Sequence, residues 1–106
     1  MPFKLFYLSS YERCLKKLGS HERHIAGIVF LALKSYFEYG FSAKAQPYIF
    51  HHEHHSYRLV FKKLRDPIWE AYVEGKLRVL TCLEKGAHLL VFAGNHDQVR
   101  QFLKEQ

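Results

Sequence analysis

The stretch Ile68-Trp69-Glu70-Ala71-Tyr72-Val73-Glu74-Gly75-Lys76-Leu77-Arg78-Val79-Leu80-Thr81 decides the fold. Two runs rich in β-branched and aromatic residues flank Glu74-Gly75-Lys76, and such runs around a glycine turn read as an antiparallel hairpin. A three-residue connection at 74–76 fixes the register: Val73 faces Leu77, Ala71 faces Val79 and Trp69 faces Thr81 on one side of the pleat. The opposite side then sets Tyr72 beside Arg78.

The same pattern extends to both sides. Upstream, Tyr57 to Leu64 alternates Tyr57, Leu59 and Phe61 against Arg58, Val60 and Lys62 before Arg65-Asp66-Pro67 breaks the run, which reads as a strand and a turn. Downstream, Lys85-Gly86-Ala87 separates the strand 77–83 from another at His88 to Ala93. The four strands form a meander, with Trp69 and Phe61 facing inward as core residues. Asp97 to Glu105 reads as a short helix, with Asn95 as its cap, Asp97 at its positive end and Val99, Phe102 and Leu103 turned inward. Before the meander, Phe41 to His55 follows neither period and contains Pro47, so it reads as a loop or a weakly ordered approach to a strand.

At the N-terminus, Phe3 to Leu8 suits a strand, and Ser9-Ser10-Tyr11-Glu12 has the spacing of a capping box for a brief helix ending near Leu18-Gly19. Ser20 is placed to cap a second helix. Between His21 and Tyr39, Ile25, Ile28, Val29, Ala32, Leu33, Tyr36 and Phe37 recur at offsets of three and four, a single apolar face that Gly40 ends. The expected architecture is α+β, one domain over residues 1–106 in the order β-α-α-β-β-β-β-α. Two N-terminal helices pack on a mainly antiparallel sheet, and a short helix closes the chain.

The totals agree with one domain: 106 residues, 48% hydrophobic and 16% aromatic, suffice for a single core. Sixteen Lys and Arg against ten Asp and Glu give a net charge of +6, which favours polyanionic or acidic partners. Protonation of the eight histidines is expected to raise affinity for a polyanion on mild acidification. Cys14 and Cys82 lack Cys-x-x-Cys spacing and read as reduced core thiols. The start does not read as a signal peptide, and the apolar run Ile25 to Leu33 is too short to span a bilayer, so a cytoplasmic address with no membrane partner is expected.

Four segments carry a family likeness: Phe61-Lys62-Lys63-Leu64, Ile68-Trp69-Glu70-Ala71-Tyr72-Val73, Leu77-Arg78-Val79-Leu80 and Gly94-Asn95-His96-Asp97-Gln98-Val99. In this order they resemble the RelE/ParE superfamily, the toxins of bacterial toxin-antitoxin systems. The likeness covers the C-terminal half; the N-terminal half matches in outline only. It implies a RelE-like fold, a cognate antitoxin as partner and, for the RelE, YoeB, YafQ and HigB branches, a metal-independent endoribonuclease cutting messenger RNA on the ribosome. ParE branches target DNA gyrase instead, so a gyrase inhibitor, or a protein-binding member whose nuclease has decayed, is the alternative. The chain departs from the best-known RelE branch in holding Glu70 and Tyr72 where that branch has lysines, and Lys76-Leu77 in place of an aromatic residue. Arg78 matches the family's strand arginine and His96 its C-terminal histidine.

Metal-free RNA cleavage requires a base for the ribose 2′-hydroxyl, an acid for the leaving oxygen and a cation for the charge on the phosphorane. Within the resemblance, Arg78 is the candidate cation and His96 the candidate for proton transfer, with Glu70 and Tyr72 as further candidates for base and phosphate contact. The alternatives are a salt bridge from Arg78 to Glu70 or Glu74, and a His96 bonded to backbone at a helix start. Lys62, Lys63, Arg65 and Arg100 are candidate contacts to the nucleic-acid backbone, against the alternative of solvated strand ends. His51-His52-Glu53-His54-His55 invites a metal reading, but neighbours in an extended chain point to opposite sides and no second ligand cluster accompanies it. A solvated loop is the expectation there, with neither metal nor small-molecule cofactor.

Overall fold

The computed structural model describes residues 4–40 and 47–105. Phe3 and the segment 41–46, parts of the expected first strand and loop, lie outside the described residues. Strand β1 (Lys4–Tyr7) leads into helices α1 (Ser9–Lys17) and α2 (Ser20–Ser35), and a π-helical turn (Tyr36–Gly40) ends the second. Strands β2 (Tyr48–His52), β3 (His55–Arg65), β4 (Ile68–Tyr72), β5 (Arg78–Glu84) and β6 (Ala87–Gly94) follow, then helix α3 (His96–Lys104). They form one mixed sheet in the order β1-β6-β5-β4-β3-β2. Among the described residues only β1 runs parallel to its neighbour; every other pairing is antiparallel.

The central hairpin has the register its sequence dictates, with Ala71 opposite Val79 and Trp69 opposite Thr81. One sheet face carries Leu59, Phe61, Ala71, Val79 and Leu90, which bury against Ile25, Ile28, Val29, Ala32 and Leu33 of α2. Trp69 stacks on Phe61 with ring centroids 5.0 Å apart, as expected of inward-facing residues. The π turn at the end of α2 widens the helix, a device that breaks the 3.6-residue period. Consecutive residues Tyr36 and Phe37 are thereby both buried, Tyr36 against Tyr48 and Phe37 against Phe61.

The segment expected as a loop departs from its reading. Residues 48–52 add a fifth antiparallel strand, β2, joined to β3 by the turn Glu53-His54, both at positive φ. Positive φ at both central residues is the geometry that matches strand twist, although Asn and Gly usually supply it. The element order therefore has one more strand than the sequence suggests. The His51–His55 stretch is the end of a hairpin rather than a loop.

The helix starts also differ. Leu8 donates its backbone N–H to the Leu90 carbonyl and is still part of the sheet, so α1 closes its first turn on the Leu8 carbonyl. Ser9 is thus already helical, and the N-cap makes no side-chain bond. Gly19 rather than Ser20 caps α2. Helix α3 has the expected cap: Asn95 Oδ1 accepts from the Gln98 N–H while Gln98 Oε1 accepts from the Asn95 N–H.

The second sheet face is only half covered. A bulge in β6 pairs Leu80 with Phe92 but Thr81 with Leu90, leaving Val91 unmatched, and Ser10 Oγ donates to the Val91 carbonyl. Val91 and Phe92 then join Ile68, Leu80 and Cys82 beneath Val99, Phe102 and Leu103 of α3. Among the described residues no helix packs on the rest of this face, which comprises Val60, Lys62, Tyr72, Arg78 and the outer strands. No helix among the described residues is long and apolar enough to cross a membrane.

Candidate functional site on the open sheet face

The open half of the second face follows from strand alternation. In β3, Leu59 and Phe61 point to the helices, so Arg58, Val60 and Lys62 point the other way. Val60 pairs with Tyr72 and Lys62 with Glu70, which brings those β4 residues to the same face. Arg78 follows from β5. Its guanidinium carbon lies 3.6 Å from the centre of the Tyr72 ring, and Lys62 Nζ lies 5.9 Å from the same ring. A cation over an aromatic face is held by the ring quadrupole without being neutralised.

Arg78 donates one further bond, from Nη1 to the Gly75 carbonyl at 3.3 Å, and makes no ion pair with Glu70 or Glu74 among the described residues. The salt-bridge alternative is therefore absent from the described contacts. A guanidinium stacked on a ring is fixed in plane with N–H groups left over at its edge, a form suited to a phosphate. Glu70 is buried at 6% exposure, and Lys62 is its cross-strand neighbour. The face is thus basic, with one recessed carboxylate.

His96 begins α3, exposed to solvent. Arg78 pairs with Gly94, two residues before it, so the two Cα atoms lie within about 13 Å of each other by chain and strand spacing. Gly94 leaves room for the cap: a Cβ there would stand 2.7 Å from Gln98 Oε1, the atom that closes it, and would force that side chain to shift. The turn from β6 into α3 is closely packed there, and it leads directly into the exposed His96 at the start of α3.

The four candidate backbone contacts divide. Lys62 lies on the open face with no ion pair among the described residues. Lys63 has the opposite phase, pairs with Trp69 and forms an ion pair with Asp66 at 3.7 Å. Beyond a register shift, Arg65 donates to the Leu103 carbonyl at the end of α3. Arg100 is exposed on α3.

Two further residues join the face: Arg58, one of the alternating positions of β3, and His51, from the histidine-rich stretch. Arg58 shares the phase of Lys62, a signal present in the alternation of β3. His51 pairs with Ser56 one step beyond, and its Nδ1 lies 2.9 Å from Ser56 Oγ. No group of three or more His, Cys, Asp or Glu among the described residues is arranged to hold a metal ion.

Comparison with protein families, curated proteins and solved structures gave no match. The site therefore rests on geometry and chemistry.

One histidine has a different place. His88 is buried on the helix-facing side, stacked on Phe37 at 5.2 Å, with Nδ1 2.9 Å from Thr81 Oγ1. Burial lowers its pKa to about 4 and keeps the ring neutral. It belongs to the core, away from the open face.

Proposed function

We propose that this chain is a RelE/ParE-type toxin that cleaves messenger RNA on the ribosome, without a metal, on the open sheet face around Arg78. The observation that carries the reading is the Arg78 guanidinium stacked on Tyr72 at 3.6 Å, without an ion pair among the described residues and sharing that ring with Lys62. The α+β architecture, the net charge of +6 and the closely packed passage from Gly94 to His96 support it.

In this mechanism the ribose 2′-oxygen attacks the adjacent phosphorus while a base removes its proton. The bond to the 5′-oxygen breaks, giving a 2′,3′-cyclic phosphate and a 5′-hydroxyl. Arg78 stabilises the charge that grows on the phosphorane oxygens. His96 delivers the proton to the leaving oxygen, Glu70 is the base, and Tyr72 orients Arg78 and contacts the phosphate. Lys62 holds the flanking backbone, and the exposed Arg100 of α3 is a further backbone contact; Lys63 and Arg65 contribute through their strand and helix contacts. The ribosome presents the messenger in the cytoplasm, and an antitoxin silences the chain by covering this face.

Glu70 and Tyr72, in place of lysines, favour a second reading as a non-enzymatic inhibitor of DNA gyrase. Cleavage mapping of messenger RNA after expression separates the two: new 5′-hydroxyl ends that vanish in Arg78→Ala are expected. Intact transcripts alongside stalled gyrase would overturn the nuclease reading.

A further inference from the structure

The β2–β3 hairpin adds charge to the open face that the reaction around Arg78 does not use. Arg58 is exposed, on the same side as Lys62, with neither a hydrogen bond nor an ion pair among the described residues. One pleat step further, His51 and Ser56 face each other across the strands, 2.9 Å apart. A Ser56 hydroxyl donating to Nδ1 leaves Nε2 as the N–H that points outward, a donor to a phosphate oxygen. Of the acids on the neighbouring strands and turn, Glu53 lies 3.9 Å from His52 Nε2 and Glu70 is recessed. Neither neutralises Arg58.

We propose that His51, Ser56 and Arg58 form a second phosphate-binding element, which extends the open face into a track for single-stranded RNA. This rests on the RNA reading of the Arg78 site. Val60, Tyr72 and Arg78 form one row across the sheet. Arg58 lies one pleat step, about 7 Å, beyond that row, and the His51–Ser56 pair lies two steps, about 13 Å, beyond it. The His51 end is also three strands from Arg78, a further lateral displacement of about 14 Å. The diagonal of about 20 Å suits an extended strand of several nucleotides. It does not suit a single mononucleotide. The exposed Ile49, beside Arg58 on β2, offers an apolar contact to a base along the way.

The test uses the full-length chain with His96→Ala, so that RNA stays intact, and fluorescence anisotropy with a twelve-nucleotide oligouridine, a dinucleotide and an RNA duplex. Adding Arg58→Ala is expected to weaken the long strand roughly tenfold, lower the slope of log K against log salt by about 0.7, and leave dinucleotide affinity unchanged. Arg58→Lys restores most of the loss. Unchanged long-strand affinity in Arg58→Ala, with binding still lost in Arg78→Ala, would overturn the hairpin element and leave the RNA reading standing. Absence of any RNA binding would overturn both. Tighter binding of the duplex than of the single strand would overturn the single-stranded track. A melting temperature unchanged in Arg58→Ala shows that a loss of affinity is not unfolding.

Discussion

The two halves of one sheet face differ in what they do with charge. Under α3, Ile68, Leu80, Cys82 and Phe92 are covered by Val99, Phe102 and Leu103, and the cation there, Arg65, is bonded to the Leu103 carbonyl. On the open half, built from alternate positions of adjoining strands, Arg58 and Lys62 form no ion pair among the described residues and Arg78 rests on an aromatic ring. The covered half converts apolar area and a helix-end bond into stability, whereas the open half leaves charge for a ligand. Substitutions in the two halves should therefore separate stability from function.

The largest effect belongs to the open half. Arg78→Ala should lower the cleavage rate by about 10²–10³-fold, as loss of a transition-state donor does, while a melting curve stays nearly unchanged. In the covered half, Leu80→Ala should reverse that pattern: about 3 kcal/mol of stability lost in urea titration, from transfer and cavity terms, with residual folded protein still active. A comparable loss should come with acid, from the core rather than from either half. His88 is neutral when folded down to about pH 4, but in the unfolded chain it binds a proton near 6.5. Below that value the unfolded state takes up more protons, so stability falls as pH drops, by about 3 kcal/mol at pH 4. Urea titrations at pH 7.5 and 4.5 measure the loss, and His88→Gln should flatten the difference. The smallest effect is Asn95→Ala, about 1 kcal/mol from the lost cap of α3, together with reduced cleavage if the cap also fixes His96.

Much of the fold can be read from β-strand alternation and helical periodicity. Gly75 and the apolar phase of β4 and β5 set the central register, and the stripe on α2 identifies the core. Strand β2 is hidden in the sequence because Pro47 precedes it, Tyr48-Ile49-Phe50 is apolar without alternation, and its turn places Glu53 and His54 at positive φ without glycine. The π turn was hidden because consecutive Tyr36 and Phe37 still satisfy a helical stripe on paper. The Ser9 capping box failed because Leu8 remains hydrogen-bonded in the sheet, and Ser10 bonds to Val91. At the candidate site, the Tyr72–Arg78 pair followed from register alone. Arg58 is equally legible in the phase of β3, whereas Lys62 and Lys63 are adjacent charges of which strand geometry keeps one on the face. Nothing local to Arg65 shows that α3 would capture it, since that bond spans 38 residues.

The most direct measurement is mapping of 5′-hydroxyl ends on a translated messenger RNA in a reconstituted ribosome reaction, comparing the wild-type chain with Arg78→Ala and His96→Ala. New ends within the messenger for the wild type, absent or reduced at least about a hundredfold in both variants at equal folded concentration, are the predicted result. Intact messenger with the wild-type chain, or cuts of equal yield from Arg78→Ala, would contradict the assignment of this face as a nuclease site.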